Sequence, residues 1–362
     1  MRYSEQDARR AIVLAGRALT EKGLVSRTWG NISARISDDT FLITPSGRAY
    51  ESLTENDLVA VDIHRLSYDK AGLKPSSEKG IHAAAYRLRR DANFIIHTHQ
   101  TYASAVGVAG ESFSFAPTAS YGLPGTKKLW ERVERSVAIN PDEKAFLLQK
   151  HGVFCLGESM EDAFRLAAEL ERVSEQFYHS TVSLPAAEPA FDLGSSYRDG
   201  EDFVLTCFGQ SRRYPLGALP DSATETAKLH DAVYRDKSVS CILSAADGEL
   251  LHLSRRSGVF PPFVDDFAQI AGETVHITEA NRAALALRGR NAVLVRGAGA
   301  LVTGKTPDDA EAVRQIVQKN AKALCFAEAY GVGKPLSASD ALLQRAVYRL
   351  NYAKKSEKRN NR

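Results

Sequence analysis

Along the first twenty-odd positions, apolar residues recur at helical spacing. Ala8, Ala11, Ile12, Leu14, Ala15 and Leu19 share one stripe, Ser4 stands where an N-cap belongs, and Gly23 stands where the helix should stop. The pattern then switches to period two. Ile32, Ala34 and Ile36 alternate with polar neighbours, Asp38-Asp39 offers a turn, and FLIT follows, which predicts a strand hairpin. Polar loops flank it, TWGN (28–31) and TPSG (44–47). A helix is predicted over 77–90, with Ser76 or Ser77 as N-cap, Glu78 in the first turn, and His82, Ala85, Tyr86 and Arg89 at three- or four-residue steps. Phe94, Ile95 and Ile96 read as a short buried strand that delivers His97 and His99 at its end. Two residues apart in extended chain, these histidines share a face. Short helices are expected over 101–109 and 128–138. The apolar run 145–148 reads as a strand that delivers His151, and Ser159 caps a helix to about 180 with Asp162 at its N3 position.

The stretch 181–200 is rich in Pro, Ala, Gly and Ser and has no period, so it reads as a linker. Beyond it the pattern repeats. A shift of 147 residues lays NAVLVRGAGALVTGKTPDDA (291–310) on KAFLLQKHGVFCLGESMEDA (144–163), placing Gly299 on Gly152, Gly304 on Gly157 and Ala310 on Ala163. Thr306 takes the place of Ser159 as N-cap, with Pro307 suited to the first helical position. Upstream, 228–247 resembles the helix and strand that lead to His97. This is the signature of an internal duplication. The second copy carries Ser244, Ala246 and Ala298 where the first has His97, His99 and His151, and no second copy of the TWGN, TPSG or SSE stretches is visible. The expected organisation is a domain over 1–182 with the chemistry, a linker over 183–200, a degenerate domain over 201–350, and a basic tail over 351–362.

Composition narrows the class. With 44% hydrophobic and 25% charged residues in 362, the chain has the make-up of a globular protein of one large or two medium domains. No apolar run reaches the length of a membrane span, and MRYSEQDARR has no apolar signal region. A net charge of +3 gives no reason to expect nucleic acid. The four cysteines, Cys155, Cys207, Cys241 and Cys325, are scattered in apolar runs, as expected of reduced thiols in a cytoplasmic protein.

The chemistry lies in the first half. His97, His99 and His151 supply three imidazoles, enough for a divalent metal with one position open for substrate. Glu78 stands close in sequence to two serines at a helix start, where partial positive charge and free N–H groups favour an anion. Asn31, Ser46, Gly47, Ser76 and Ser77 lie in three small polar loops able to wrap a phosphate. Taken singly, each feature has a plainer reading: the loops as turns, Glu78 as a carboxylate complementing the helix dipole. The combination favours a metal site. His82 reads as a core or hydrogen-bonded histidine, not a fourth ligand, and His64, His179, His230, His252 and His276 as structural or exposed.

TWGNISAR, LITPSG, PSSE, the 19-residue step from Glu78 to His97, H-T-H and LLQKHG together resemble the class II aldolase/adducin family over residues 5–180. The resemblance implies an α/β/α fold around a mostly antiparallel sheet, and zinc on His97, His99 and His151, with manganese and cobalt also suited to three histidines. It implies phosphate recognition by Asn31, Ser46, Gly47, Ser76 and Ser77, with Gly30 adjacent, and a catalytic role for Glu78. Related epimerases carry aspartate there, so glutamate favours aldol chemistry on a small phosphorylated sugar. Epimerase, dehydratase or decarboxylase activity and an adducin-like scaffold are the alternatives, and the intact histidine triplet speaks against the scaffold. One departure stands out: the family's proton-donating tyrosine has no match, Thr118 falls nearest, and Tyr102 and Tyr121 are the candidates to replace it. The resemblance also implies a homo-oligomer, here a dimer of duplicated chains that mimics a fourfold ring.

Overall fold

The computed structural model describes residues 2–25 and 29–360, without the side chains of 351–360; Thr28 of the first polar loop lies outside the described residues. The chain divides into two units, Met1–Thr181 with Tyr330–Gly333, and Val182–Ala329 with Lys334–Arg362.

The first unit opens with α1 (Glu5–Glu21), whose N-cap Ser4 accepts a hydrogen bond from the Asp7 amide. Its strands are β1 (Asn31–Arg35), β2 (Thr40–Ile43), β3 (Val59–Asp62), β4 (Phe94–Thr98), β5 (Thr118–Ala119), β6 (Ala145–Leu148) and β7 (Gly152–Gly157). Its other helices are α2 (Lys79–Leu88), α3 (Thr101–Gly107), α4 (Lys127–Ile139) and α5 (Met160–Thr181). The sheet runs β3-β2-β1-β4-β7-β6-β5. Its pairs are antiparallel except β5 with β6. Because side chains alternate across a strand, Ile95 and His97 share a face opposite Phe94 and Ile96. The Ile95 face packs with Phe41, Val61, Phe146 and Phe154 under α2 and α4, which contribute Ile81, Tyr86 and Val133. Helices α1, α3 and α5 pack with one another and along β1, β4 and β7. The result is an α/β/α sandwich around a mostly antiparallel sheet.

The second unit repeats this plan. Its strands are β8 (Ser195–Asp199), β9 (Asp202–Cys207), β10 (Gln210–Pro215), β11 (Cys241–Ala245), β12 (Val259–Phe260), β13 (Val275–Thr278), β14 (Ala292–Val295) and β15 (Gly299–Gly304). Its helices are α6 (Glu225–Asp236), α7 (Gly248–Ser254), α8 (Asp265–Ile270), α9 (Ala283–Ala286), α10 (Pro307–Tyr330) and α11 (Ala338–Asn360). The order β10-β9-β8-β11-β15-β14-β13-β12 is that of the first sheet with one more edge strand. Registers repeat as well. His97 pairs with Phe154 and Ser244 with Leu301, both partners 147 residues on. Gly152 and Gly299 occupy the same tight place: a Cβ at Gly152 would lie 2.2 Å from the Thr98 carbonyl, and one at Gly299 would lie 2.3 Å from the Ala245 carbonyl.

Two expectations are corrected. The linker is shorter than 183–200, because 195–199 form β8, and the β8–β9 hairpin is the second copy of β1–β2. That strand carries no apolar alternation: in SSYRD only Ser196 is buried, so the usual strand signal is missing. The expected basic tail continues α11, which runs to Asn360. And α2 starts at Lys79, with Glu78 at the N-cap position and no side-chain cap. Ser76 Oγ instead accepts from the Glu78 amide at 3.2 Å, which frees the carboxylate to turn toward the histidines.

Candidate metal centre

His97 is the fourth residue of β4, His99 follows the strand end, and His151 sits in the β6–β7 turn, after Lys150 with its φ of 62°. Pairing of β4 with β7 brings the turn over the strand end. Three Nε2 atoms converge there, His97 to His151 at 3.0 Å and His97 to His99 at 3.2 Å. The Glu78 carboxylate closes the group, Oε1 at 3.0 Å from His151 Nε2 and Oε2 at 3.1 Å from His97 Nε2. One ligand atom from each of the four side chains lies within 4.8 Å of the others.

The donor set fits a metal. His97 Nδ1 lies 2.6 Å from the Val153 carbonyl, which can only accept, so Nδ1 carries the proton and Nε2 presents a lone pair to the cluster. Lone pairs facing each other at this distance repel unless a cation lies between them. Ligands at zinc–nitrogen distances in a tetrahedron stand ~3.3 Å apart, close to the spacing found. Burial works to raise the Glu78 pKa, but His151 and His97 outweigh it and hold the carboxyl well below its ordinary value.

The three polar loops lie side by side. Pro45 bridges Pro75, the Ser46 amide donates to the Lys74 carbonyl at 2.9 Å, and the Ser76 amide donates to the Thr44 carbonyl at 3.0 Å. Ser46, Gly47 and Ser77 are exposed, whereas Ser76 and Asn31 are buried. Gly30, at φ 93°, sits so close to β4 that a Cβ would come within 2.4 Å of the His97 carbonyl. Asn31 does more than line a loop: its Nδ2 donates to Glu78 Oε2 at 2.8 Å. His82 is no ligand; its Nδ1 meets Ser33 Oγ at 2.7 Å and its Nε2 meets Asn31 Oδ1 at 2.5 Å. The Tyr102 ring packs on Tyr178 and His179, and Tyr121 lies beneath the Lys150 ammonium. Sequence reasoning missed the Asn31–Glu78 bond and the Val153 carbonyl, since both depend on strand pairing between distant segments. Ser33 left one trace, a polar residue between Ile32 and Ala34 in a strand that proves wholly buried.

The sandwich carries three histidines at the end of β4 and in the β6–β7 turn, closed by a carboxylate at the start of α2. The family description "Class II Aldolase and Adducin N-terminal domain" matches residues 10–178. L-fuculose phosphate aldolase of Escherichia coli K12 is 36% identical over 183 residues, covering 47% of this chain and 82% of that enzyme. L-ribulose-5-phosphate 4-epimerase of Salmonella paratyphi C is 29% identical over 208 residues, covering 52% of this chain and 91% of that one. A solved L-fuculose 1-phosphate aldolase structure is 27% identical with a TM-score of 0.44, covering 48% of this chain and 86% of that chain. The chain belongs to the class II aldolase/adducin family.

Proposed function

We propose that the chain is a divalent-metal-dependent aldolase that forms or cleaves a carbon–carbon bond in a small phosphorylated ketose with a dihydroxyacetone-phosphate-type donor. The observation that carries the reading is the convergence of His97, His99 and His151 Nε2 with the Glu78 carboxylate. These three histidines would hold the metal, with zinc the first choice and manganese or cobalt also suited. When bound, such a metal supplies Lewis acidity to the oxygens of the ketose. Glu78 takes the proton from the donor carbon next to the ketone in the synthetic direction. In cleavage it returns a proton to that carbon once the bond has broken. Its carboxylate is buried away from bulk water and held by Asn31. Ser46, Gly47 and Ser77, open to solvent beside Asn31, Gly30 and Ser76, form the cradle for the substrate phosphate. The similarity to a fuculose phosphate aldolase supports this substrate class.

The test is a panel of phosphorylated ketoses assayed for dihydroxyacetone phosphate release with and without chelator. Glu78→Gln is expected to keep its metal and lose exchange of the donor α-proton; His97→Ala is expected to lose about one metal per chain. Retained exchange in Glu78→Gln overturns the role of Glu78, and a metal-free wild type overturns the reading. The epimerase relative favours a second reading, in which the same site inverts a phosphorylated ketose. Epimer formation without a three-carbon product would select it. The four cysteines stand as free thiols, which supports a cytoplasmic setting.

The protein also acts as a homo-oligomer in this reading. Support comes from α11, which buries Gln344 and Arg345 while Leu342, Leu343, Val347 and Leu350 face outward, 46–64% exposed. A stable monomer in sedimentation equilibrium would sink that part.

A further inference from the structure

Behind Glu78 runs a line of buried polar side chains that the proposed chemistry does not use. Tyr86 OH lies 2.8 Å from Ser33 Oγ, and Ser33 Oγ lies 2.7 Å from His82 Nδ1. His82 Nε2 meets Asn31 Oδ1, and Asn31 Nδ2 lies 2.8 Å from Glu78 Oε2. Ser33 and His82 are fully buried, Tyr86 is 2% exposed, and Asn31 is 3% exposed.

The carboxylate end sets the direction of every bond. Asn31 Nδ2 donates to Glu78 Oε2, so the amide turns its NH2 toward the carboxylate and its Oδ1 away. Oδ1 accepts only, so His82 Nε2 carries the ring proton. Nδ1 then accepts from the Ser33 hydroxyl, whose oxygen accepts from Tyr86. Burial pushes the His82 pKa down to about 3, so the ring stays neutral with a single proton to place. The ring cannot turn freely: it stacks on Phe41 at 8° and meets Phe154 edge-on at 89°.

The second unit supplies the control. Ser196 Oγ lies 2.7 Å from His230 Nδ1 and 2.9 Å from Tyr234 OH, the same triad in the same place. There His230 Nε2 donates to the Leu193 carbonyl at 2.8 Å. Gly194 stands where the strand register puts Asn31, and Ser244 where it puts His97. The Ser–His–Tyr triad is thus part of the fold in both units. Only beside the histidine cluster does its outer nitrogen hold an asparagine that reaches a carboxylate.

We propose that His82 is a positioning residue that fixes the amide of Asn31 and through it the orientation of the Glu78 carboxylate against the histidine cluster. This rests on the reading of Glu78 as the catalytic base. A flipped Asn31 would press Oδ1 against the carboxylate and NH2 against an N–H donor, so His82 leaves the amide one orientation. Asn31 Nδ2 has a second hydrogen, which remains for the substrate anion.

The experiment compares His82→Leu, which abolishes both hydrogen-bond roles, with His82→Gln, which retains a donor and an acceptor, and with His230→Leu as the control in the second unit. Zinc content, kcat and KM are measured on the zinc-loaded full chain. In zinc-free protein labelled with 15N-asparagine, exchange of the Asn31 side-chain amide protons is followed by NMR. His82→Leu is expected to keep zinc, to lower kcat ~10–100-fold, and to expose the Asn31 amide to exchange. His82→Gln should restore protection and most of kcat, and His230→Leu should change neither despite its own loss of stability. Ser33→Ala, which only unpins Nδ1, takes the place of His82→Leu if that variant does not fold, with the same expected direction. A protected Asn31 amide with wild-type kcat overturns the proposal, and so does a rise in KM at constant kcat. Should the wild type cleave no phosphorylated ketose, the aldolase reading fails while the amide exchange still decides the role of His82.

Discussion

A methyl group added at Gly152 should empty the metal site, and the same methyl at Gly299 should not. At Gly152 the new Cβ would stand 2.2 Å from the Thr98 carbonyl oxygen and 3.3 Å from the His99 Cα. A relaxed carbon–oxygen contact needs about 3.3 Å, so β7 and β4 must part by ~1 Å there. His151 precedes this residue and His99 lies across from it, so the parting moves two of the three imidazoles relative to each other. Metal–ligand distances tolerate only about 0.2 Å, several times less than the shift. Overpacking of this kind costs roughly 1–3 kcal/mol in stability. Gly299→Ala meets the Ala245 carbonyl at 2.3 Å and adds the strain of a φ of 100°, so its cost is at least as large. Yet the flanking residues there are Ala246 and Ala298, not histidines. The assay is urea unfolding in chelator, for stability, beside zinc competition against a chromogenic chelator, for affinity. Gly152→Ala should weaken zinc by at least ~10-fold, whereas Gly299→Ala should match the wild type. Equal zinc affinity in Gly152→Ala and the wild type would refute the reasoning, as would an equal loss in both variants.

Acid should weaken both units through the paired histidines. The pKa of His82 is lowered to about 3 and that of His230 to about 4, each by burial first, from an ordinary 6.5. The unfolded chain therefore takes up these protons near pH 6.5 while the folded one does not. The stability they represent is complete above pH 6.5 and is lost as pH falls toward 4 and 3. Each should cost about 2.5 kcal/mol between pH 7.5 and 4.5, read as the pH dependence of urea unfolding, and a flat profile in that window would count against their burial as neutral rings. Saturating zinc at 1,000 times its Kd should add about 4 kcal/mol to unfolding of the first unit, reversed by chelator and absent in His97→Ala. In the second unit, Lys319 and Asp266 form a buried ion pair. Lys319→Met should cost roughly 3–5 kcal/mol, and Lys319→Met with Asp266→Leu should recover most of it, both measured by urea unfolding.

The elements of the first unit were legible because their signals are local. A 3.6-residue stripe marks α1, the run FII marks β4, and Ser159 ahead of Asp162 marks the start of α5, where Ser159 Oγ accepts from the Asp162 amide at 3.2 Å. The second copy was legible where glycines and caps recur at a fixed offset, since Gly152 and Gly299 answer the same close approach of backbone. It was illegible at β8, whose inward residue is Ser196, a hydroxyl satisfied by His230 and Tyr234. A polar residue that is buried because a triad accepts it leaves no hydrophobic period behind. The same holds at the histidine cluster. The histidines announced themselves by spacing, but the partners that orient them are a backbone carbonyl at Val153 and an amide at Asn31, which pairing of β4 with β7 and β1 alone brings near.

Comparing the two units separates what the fold needs from what the chemistry needs. The sheet order, the Gly152 and Gly299 approaches, the helix caps at Ser159 and Thr306, and the Ser–His–Tyr triads occur in both. None of these can be assigned to catalysis on position alone, because a copy without the histidine cluster keeps them. His97, His99, His151, Asn31 and Glu78 occur in one unit only. If the histidines were core-filling residues, the second sheet would need substitutes of similar volume. It has instead Ser244, Ala246 and Ala298, and the register around them is undisturbed, with Ser244 still opposite Leu301 and Ala245 opposite Ala300. The first unit instead places three imidazoles that the architecture does without, their Nε2 atoms converging beside the Glu78 carboxylate. Such a group of side chains is able to hold a metal ion, and a core-filling role does not account for it.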